Sequence, residues 1–386
     1  MIKDIALLSP LYVTFFWGIV LLANYNKSKP KFLLGIFMFV AFLLYLTHAF
    51  FFNQNYLAYF HTECIYLFTS LAVYPIYYCY IRALTIDCTF HLKNLIHFVP
   101  AILFALASFI TDQYFTHEQS LEYVKNYVMQ RDISGFNLLS ASGIKNGIYI
   151  ICRVIFIFQV FFYLLNGMVL TQQHERRISN YYSNSEGKSM FWVRMVTFTF
   201  LITSVMSITF AIIGRTFFQS DEFLLLIPSV IFSSLLFIIG FLGSITKQFV
   251  IDASFIASRP KSSRIHDSEI MKQKILQLFK DDKIFKNPDL LITNLSDKLK
   301  SPSTEVTQLI NDEFKTDFSD FVNKYRISIA KELIVKNINN GLTLFAIAVE
   351  SGFGSVNSFT RVFKSYEGIT PEKYIEICRQ KNIPLQ

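Results

Sequence analysis

Residues 352–374 read GFGSVNSFTRVFKSYEGITPEKY, and residues 343–351 ahead of them read TLFAIAVES. Thr343 stands just before an apolar run, where a side-chain oxygen caps a helix. Gly352 closes that helix, because glycine passes into φ > 0 without a Cβ penalty. Ser355 caps the next one. There Phe359, Val362, Phe363 and Tyr366 recur at i, i+3, i+4 and i+7, which predicts one buried stripe. Asn357, Arg361 and Lys364 fall on the opposite face. The spacing predicts two short helices joined by a tight turn over 343–367.

The scheme occurs once before, in 293–314, TNLSDKLKSPSTEVTQLINDEF. Thr293 is expected to cap a helix ending near Lys300. Ser301-Pro302 then restarts a helix, with serine as cap and proline at the first helical position, where its missing N–H costs nothing. Val306, Leu309, Ile310 and Phe314 share one face; Thr304, Thr307, Gln308 and Asn311 share the other. Between the two pairs, Phe318, Phe321, Val322, Tyr325, Ile329 and Leu333 predict a linker helix over 318–337. Such an arrangement suits double-stranded DNA. Each second helix can enter a major groove, where polar side chains reach base edges, and two of them about 34 Å apart would read successive grooves.

These residues resemble the AraC/XylS family of bacterial regulators. The family pattern is met at Ile347-Ala348, Gly352-Phe353, Ser355, Phe359, Arg361, Phe363-Lys364, Gly368, Thr370-Pro371 and Tyr374. The likeness runs over roughly 267–380, the expected cytosolic domain being 267–386. It implies base-contacting positions for Thr304, Thr307 and Gln308 in the first unit and for Asn357 and Arg361 in the second. Gln308 and Asn357 carry amides suited to bidentate adenine contacts, whereas Ser355 and Lys364 suit phosphate oxygens, which position without specifying. The blander readings are a surface ion pair for Arg361 and solvated amides for the others. The chain departs from the pattern at Ser296, Ala346 and Ile375, and Glu305 would repel a nearby phosphate. Residues 289–381 hold 12 Lys/Arg and 12 Asp/Glu, so the module has no bulk basic footprint.

Working outward, the rest of the chain is different in kind. Of 386 residues, 52% are hydrophobic, 17% are charged and 42 are Phe. The deficit of charge excludes a disordered chain and an ordinary water-soluble enzyme. Residues 1–246 hold 15 Lys/Arg and 11 Asp/Glu, while the shorter 247–386 holds 21 and 17. Seven stretches are each close to the roughly 20 apolar residues that cross a bilayer: about Ile5–Asn24, Phe32–Phe52, Leu57–Tyr80, Leu92–Thr111, Gly147–Leu170, Phe191–Gly214 and Phe223–Ile245. The fold class expected is therefore all-α: a seven-helix transmembrane domain over 1–246, a basic, Ser-rich juxtamembrane linker over 247–266, and the helical module. Lys27, Lys29, Lys31, Arg82, Lys93, Arg176, Arg177 and Lys188 follow odd-numbered spans, which predicts the N-terminus outside and the module in the cytoplasm, at a bacterial inner membrane. The first span ends without a small-residue cleavage site and reads as a retained helix. That part also resembles a membrane-tethered subgroup of the same family, through YPIYYCYIRAL and HLKNLIHFVP.

Ionisable residues within spans are functional candidates. His48, Glu63 and Arg153 each fall about four to six residues from the outer ends of their spans, roughly 6–9 Å deep. Glu63 and Arg153 are expected to pair, with His48 beside them, either as a signal-sensing pocket or as an ion pair that only fixes packing. The five cysteines are scattered, and neither a metal site nor a cofactor is expected. Phosphate-loop, dinucleotide, HExxH, kinase and GxSxG signatures are absent, so no enzyme is expected. The reading is a membrane-tethered regulator with promoter DNA, the lipid bilayer, an unknown signal ligand and a second copy, as a homodimer, for partners. The rivals are a transporter or enzyme with an autoregulatory DNA-binding tail, and a tail released by proteolysis near 250–266.

Overall fold

The computed structural model describes residues 2–26, 28–85, 92–130, 140–184, 191–213, 217–218, 222–245, 265–338 and 341–381. Among these the chain is all-α; strand-like pairing is confined to one isolated antiparallel bridge, Tyr182–Leu291. Two compact units form. One comprises residues 1–172 and 190–248, the other residues 173–189 and 249–386. Residues 173–189, placed by composition inside the first domain, thus group with the second unit. The linker expected over 247–266 lies outside the described residues as far as 264.

In the first unit the long helices are α1 (Ile2–Ala23), α2 (Lys29–Phe52), α3 (Tyr56–Thr85), α4 (Val99–Asp112), α6 (Ala141–Tyr181), α7 (Phe191–Ile213) and α8 (Glu222–Ile245), with a short α5 (His117–Tyr123) between the fourth and sixth. Helix α1 packs on α2 and α8, α2 on α3, α3 on α4, and α7 on α8. Among the described residues six helices are long and apolar enough to cross a membrane, and α7 contains a shorter apolar stretch, Val193–Thr209. Large apolar side chains face outward along α6: Phe158, Phe161, Phe162 and Leu165 are all exposed. Such a surface suits lipid tails better than water.

Two expectations are corrected here. The fourth stretch is not one helix from Leu92: a 3-10 turn, Leu92–Phe98, precedes α4, because Pro100 fits only the first turn of a new α-helix. The fifth is much longer than Gly147–Leu170. It starts at Ala141, which brings Lys145 inside the helix, and it runs on to Tyr181.

The second unit is built from α9 (Ile265–Lys280), a 3-10 turn (Ile284–Lys286), α10 (Ile292–Leu299), α11 (Ser303–Phe314), α12 (Phe318–Lys336), α13 (Leu344–Glu350), α14 (Val356–Glu367) and α15 (Pro371–Lys381). Helix α12 serves two cores. Phe321 packs against Phe279 and Phe314 on one side, with ring centroids 4.8 and 4.6 Å apart. On the other, Ile327, Ala330 and Ile334 join Ile347, Ala348, Phe353, Phe359 and Phe363. A helix covered on two sides shows no single stripe, and polar residues Asn323 and Arg326 are buried along with the apolar ones.

Caps set the register. Ala346 N–H donates to Thr343 Oγ1 (3.2 Å) and Ser358 N–H to Ser355 Oγ (3.0 Å), as expected. In the first pair the expected caps are displaced. Helix α10 begins at Ile292, before Thr293, because the Asn294 side chain reaches back to accept from Leu291 N–H at 2.8 Å. Helix α11 begins at Ser303 with Pro302 as the preceding residue, and Ser301 does not cap it; its hydroxyl donates back to Leu299 O (3.4 Å).

Candidate nucleic-acid interface

Helix α14 presents the clearest functional face. Phe359 and Phe363 are fully buried, which fixes the rotation of the helix and turns Asn357, Arg361 and Lys364 outward, all three exposed. None of these side chains has an ion-pair or hydrogen-bond partner among the described residues, so the surface ion pair considered for Arg361 is not formed there. A guanidinium, an amide and an ammonium are left on one face, the donor set that base edges and phosphates accept. Ser355, the cap, is half-buried at the start of the same helix. Tyr366 is the exception to the stripe. It is 41% exposed, and its hydroxyl donates to Asp320 O at 3.0 Å.

The first recognition helix, α11, is less open than its pattern predicts. Val306, Leu309 and Ile310 are buried as expected, and Gln308 is exposed. Thr307, expected on the polar face, is buried; its hydroxyl donates back to Ser303 O (2.7 Å), which removes it from the set of available donors. Thr304 is half-buried and its hydroxyl has no hydrogen-bond partner among the described residues. Of the three positions expected on α11, Gln308 alone reaches outward without obstruction.

Residues missed by pattern reading hold the two pairs together. Arg326 is 1% exposed, and burial pushes its guanidinium down to about 10, against the opposing pull of the Asp289 carboxylate. Its Nε donates to Phe285 O (2.8 Å), and one terminal nitrogen donates to Asn287 O (2.7 Å) and to Ser183 Oγ (3.1 Å). Ser183 in turn donates its N–H to Leu290 O (3.0 Å) and accepts from the Ser319 hydroxyl (3.2 Å). Asn184 Oδ1 accepts from the Ser358 hydroxyl on α14 (3.3 Å). Tyr182–Asn184, the continuation of α6, is thereby bonded to the lead-in of α10, to α12 and to α14.

Residues 295–377 match the family model of a helix-turn-helix domain. The match encloses α11, α12, α13 and α14, and the residues of the AraC/XylS pattern sit where that pattern needs them: Gly352 at φ 93° in the turn, Ser355 as cap, Phe359 and Phe363 in the core. The C-terminal module is of the AraC/XylS type. An 86-residue stretch of the chain is 35% identical to the HTH-type transcriptional regulator GadX of Escherichia coli (strain K12). That stretch is 22% of this chain and 30% of the relative, so the chain matches under a third of that protein's length. No solved structure is similar to the chain.

In the first unit the three ionisable candidates separate. Glu63 is fully buried and lies 3.1 Å from Lys145 rather than pairing with Arg153. Lys145, two residues ahead of the expected fifth span, is 1% exposed. It also pairs with Asp112, donates to Ser108 Oγ (3.3 Å) and sits 4.3 Å over the Phe60 ring. Tyr123 donates its hydroxyl to Glu63 (3.3 Å). The pairing changed because α6 starts early enough to carry Lys145 to the carboxylate. Arg153 and His48 instead line one cavity, where Arg153 lies 4.7 Å over the Tyr149 ring and His48 lies 5.4 Å from the Tyr66 ring.

Proposed function

We propose that this protein is a membrane-anchored transcription regulator, whose AraC-type module binds promoter DNA sequence-specifically and whose helical bundle couples a signal to that binding. The observation that carries the reading is the face of α14, where Asn357, Arg361 and Lys364 stand exposed and uncommitted beside a buried Phe359–Phe363 stripe. In this reading Arg361 and Asn357 contact bases in one major groove, with Gln308 in the next. Ser355 and Lys364 hold phosphates. Thr304 and Thr307 act from within α11 rather than at the bases. The apolar helices of the first unit keep the module at the cytoplasmic face of the membrane, and paired copies raise affinity by effective concentration.

The test uses the full chain in nanodiscs and DNA from upstream of its own and neighbouring genes. Binding should survive competitor DNA and weaken steeply with salt. Arg361→Ala should lose about 1–3 kcal/mol and relax the preference at one base position. Equal affinity for all sequences, or an Arg361→Ala chain that binds unchanged, would refute it.

A further inference from the structure

The first unit holds an open-sided cavity of about 240 Å³, with Leu44, Phe156 and Phe232 representative of its wall. Arg153 and His48 are set into that wall, with the hydroxyls of Ser70, Thr203 and Ser207. No Asp or Glu is among the described residues that line it. Glu63, the carboxylate expected to pair with Arg153, is held by Lys145 instead. Arg153 makes no ion pair among the described residues, and the Tyr149 ring lies beneath it. A guanidinium does not shed its proton, so against a largely apolar wall its charge favours an anion. One cation favours one negative charge. An apolar cavity of about 150 Å³ takes benzene, so about 240 Å³ takes a somewhat larger apolar body.

We propose that this cavity binds a small monoanionic amphiphile, a monocarboxylate with its oxygens on Arg153 and its apolar body along Leu44, Phe156 and Phe232. This deepens the regulator reading by naming the chemical class of its signal, yet the binding itself is measured without DNA, so the two can fail separately. The probe is octanoate, titrated by calorimetry into the full chain in phosphatidylcholine nanodiscs. Saturable binding is expected, roughly tenfold or more tighter than octanol or octylamine. Arg153→Gln should abolish it and Arg153→Lys should keep part of it. Ala41→Leu, which narrows the cavity and leaves the guanidinium in place, should weaken it. The proposal is overturned by absence of saturable binding, by equal binding of octanol, by unchanged binding in Arg153→Gln, or by displacement when phosphatidylglycerol replaces phosphatidylcholine, which would assign the site to lipid headgroups.

A different observation carries a second inference. Ser183 is fully buried within the second unit, and the segment Tyr182–Asn184 reaches the lead-in of α10, the linker helix α12 and the first turn of α14 at once. It leaves Asn357, Arg361 and Lys364 exposed. We infer that this segment is a clamp that holds the two helix–turn–helix pairs in one relative orientation, and that α6, which runs directly into it, is the element through which the bundle acts on the module. The inference rests on the DNA-binding reading, and the unmodified chain is its control: if that chain binds no DNA, the reading itself fails. Given binding, Ser183→Pro and Asn184→Ala in the full chain should cost roughly tenfold or more on a site with both half-sites, and about threefold or less on a single half-site. Asn184→Asp, which still accepts from Ser358, should restore it. Unchanged affinity in Ser183→Pro and Asn184→Ala overturns the clamp, and increased affinity would make the segment inhibitory and overturn it as well.

Discussion

Gly352 joins backbone conformation to the placement of the two helical pairs, and its substitution gives the sharpest test of the fold. Its φ is 93°, and a Cβ built on it would meet Phe285 O at 2.5 Å and Lys286 Cα at 2.7 Å. Gly368 at the end of α14 has φ 74° and nothing within 4 Å of its Cβ direction. Alanine at positive φ costs about 1–2 kcal/mol, offset by about 0.4–1 kcal/mol from a less disordered unfolded chain. Gly368→Ala should therefore cost about 1 kcal/mol or less. Gly352→Ala adds an overlap with main-chain atoms, which cannot swing away as a side chain does, at about 1–3 kcal/mol. Its total should be roughly 2–4 kcal/mol. Phe285 O also accepts from Arg326, so moving that turn strains the bond that ties it to α12. Hydrogen exchange on the full chain in nanodiscs, read at the amides of α13 and α14, measures both opening energies. Two variants within about 0.5 kcal/mol of each other would show that the turn relaxes freely, and the close-approach argument would fail.

Other perturbations follow from buried charge and from caps. Arg326→Lys keeps the charge but cannot reach Phe285 O, Asn287 O and Ser183 Oγ together; with about 1–3 kcal/mol for each stranded group, a loss of roughly 2–4 kcal/mol is expected in the same exchange experiment. Lys145→Met leaves Glu63 and Asp112 buried without their cation and should destabilise the bundle by about 3–5 kcal/mol in thermal unfolding, with Glu63→Gln added on top recovering part of it. Thr343→Ala removes the cap of α13 and should cost about 1 kcal/mol, seen as faster exchange in that helix's first turn.

The stripe of α14 was legible because its 12 residues alternate large aromatics with polar groups at helical spacing, and only one rotation buries Phe359 and Phe363. The same method misread Thr307. A threonine hydroxyl can satisfy itself on the carbonyl four residues back, so burial costs it little, and a helical wheel cannot tell this from an exposed donor. Tyr366 failed for the opposite reason: at the end of the helix its ring passes beyond the core, and its hydroxyl finds the Asp320 carbonyl. Lys145 fell just outside the expected Gly147–Leu170 span, because charge usually marks a span's end. What reversed the reading was two carboxylates, Glu63 and Asp112, on neighbouring helices, far apart in sequence and joined only by the packing of α3, α4 and α6.

Arg326 did leave a signal. On α12 it lies one turn from Val322 and from Ala330, both fully buried, and a buried guanidinium has to find acceptors. Its own helix has none to offer, since helical carbonyls are already engaged, so the acceptors had to be loop carbonyls and hydroxyls. Two come from the turn before α10, and the third is Ser183, 143 residues upstream. No periodicity spans such a distance, and composition puts the module's start at 267, with Ser183 on the far side of the boundary. Hydrogen bonding draws the boundary differently: a fragment beginning at 267 would strand one guanidinium N–H, the Leu290 carbonyl and the Ser319 hydroxyl together. The hydrogen-bonded unit of this module therefore includes Tyr182–Asn184, just past α6, and measurements on a fragment without that segment would report a domain lacking those bonds.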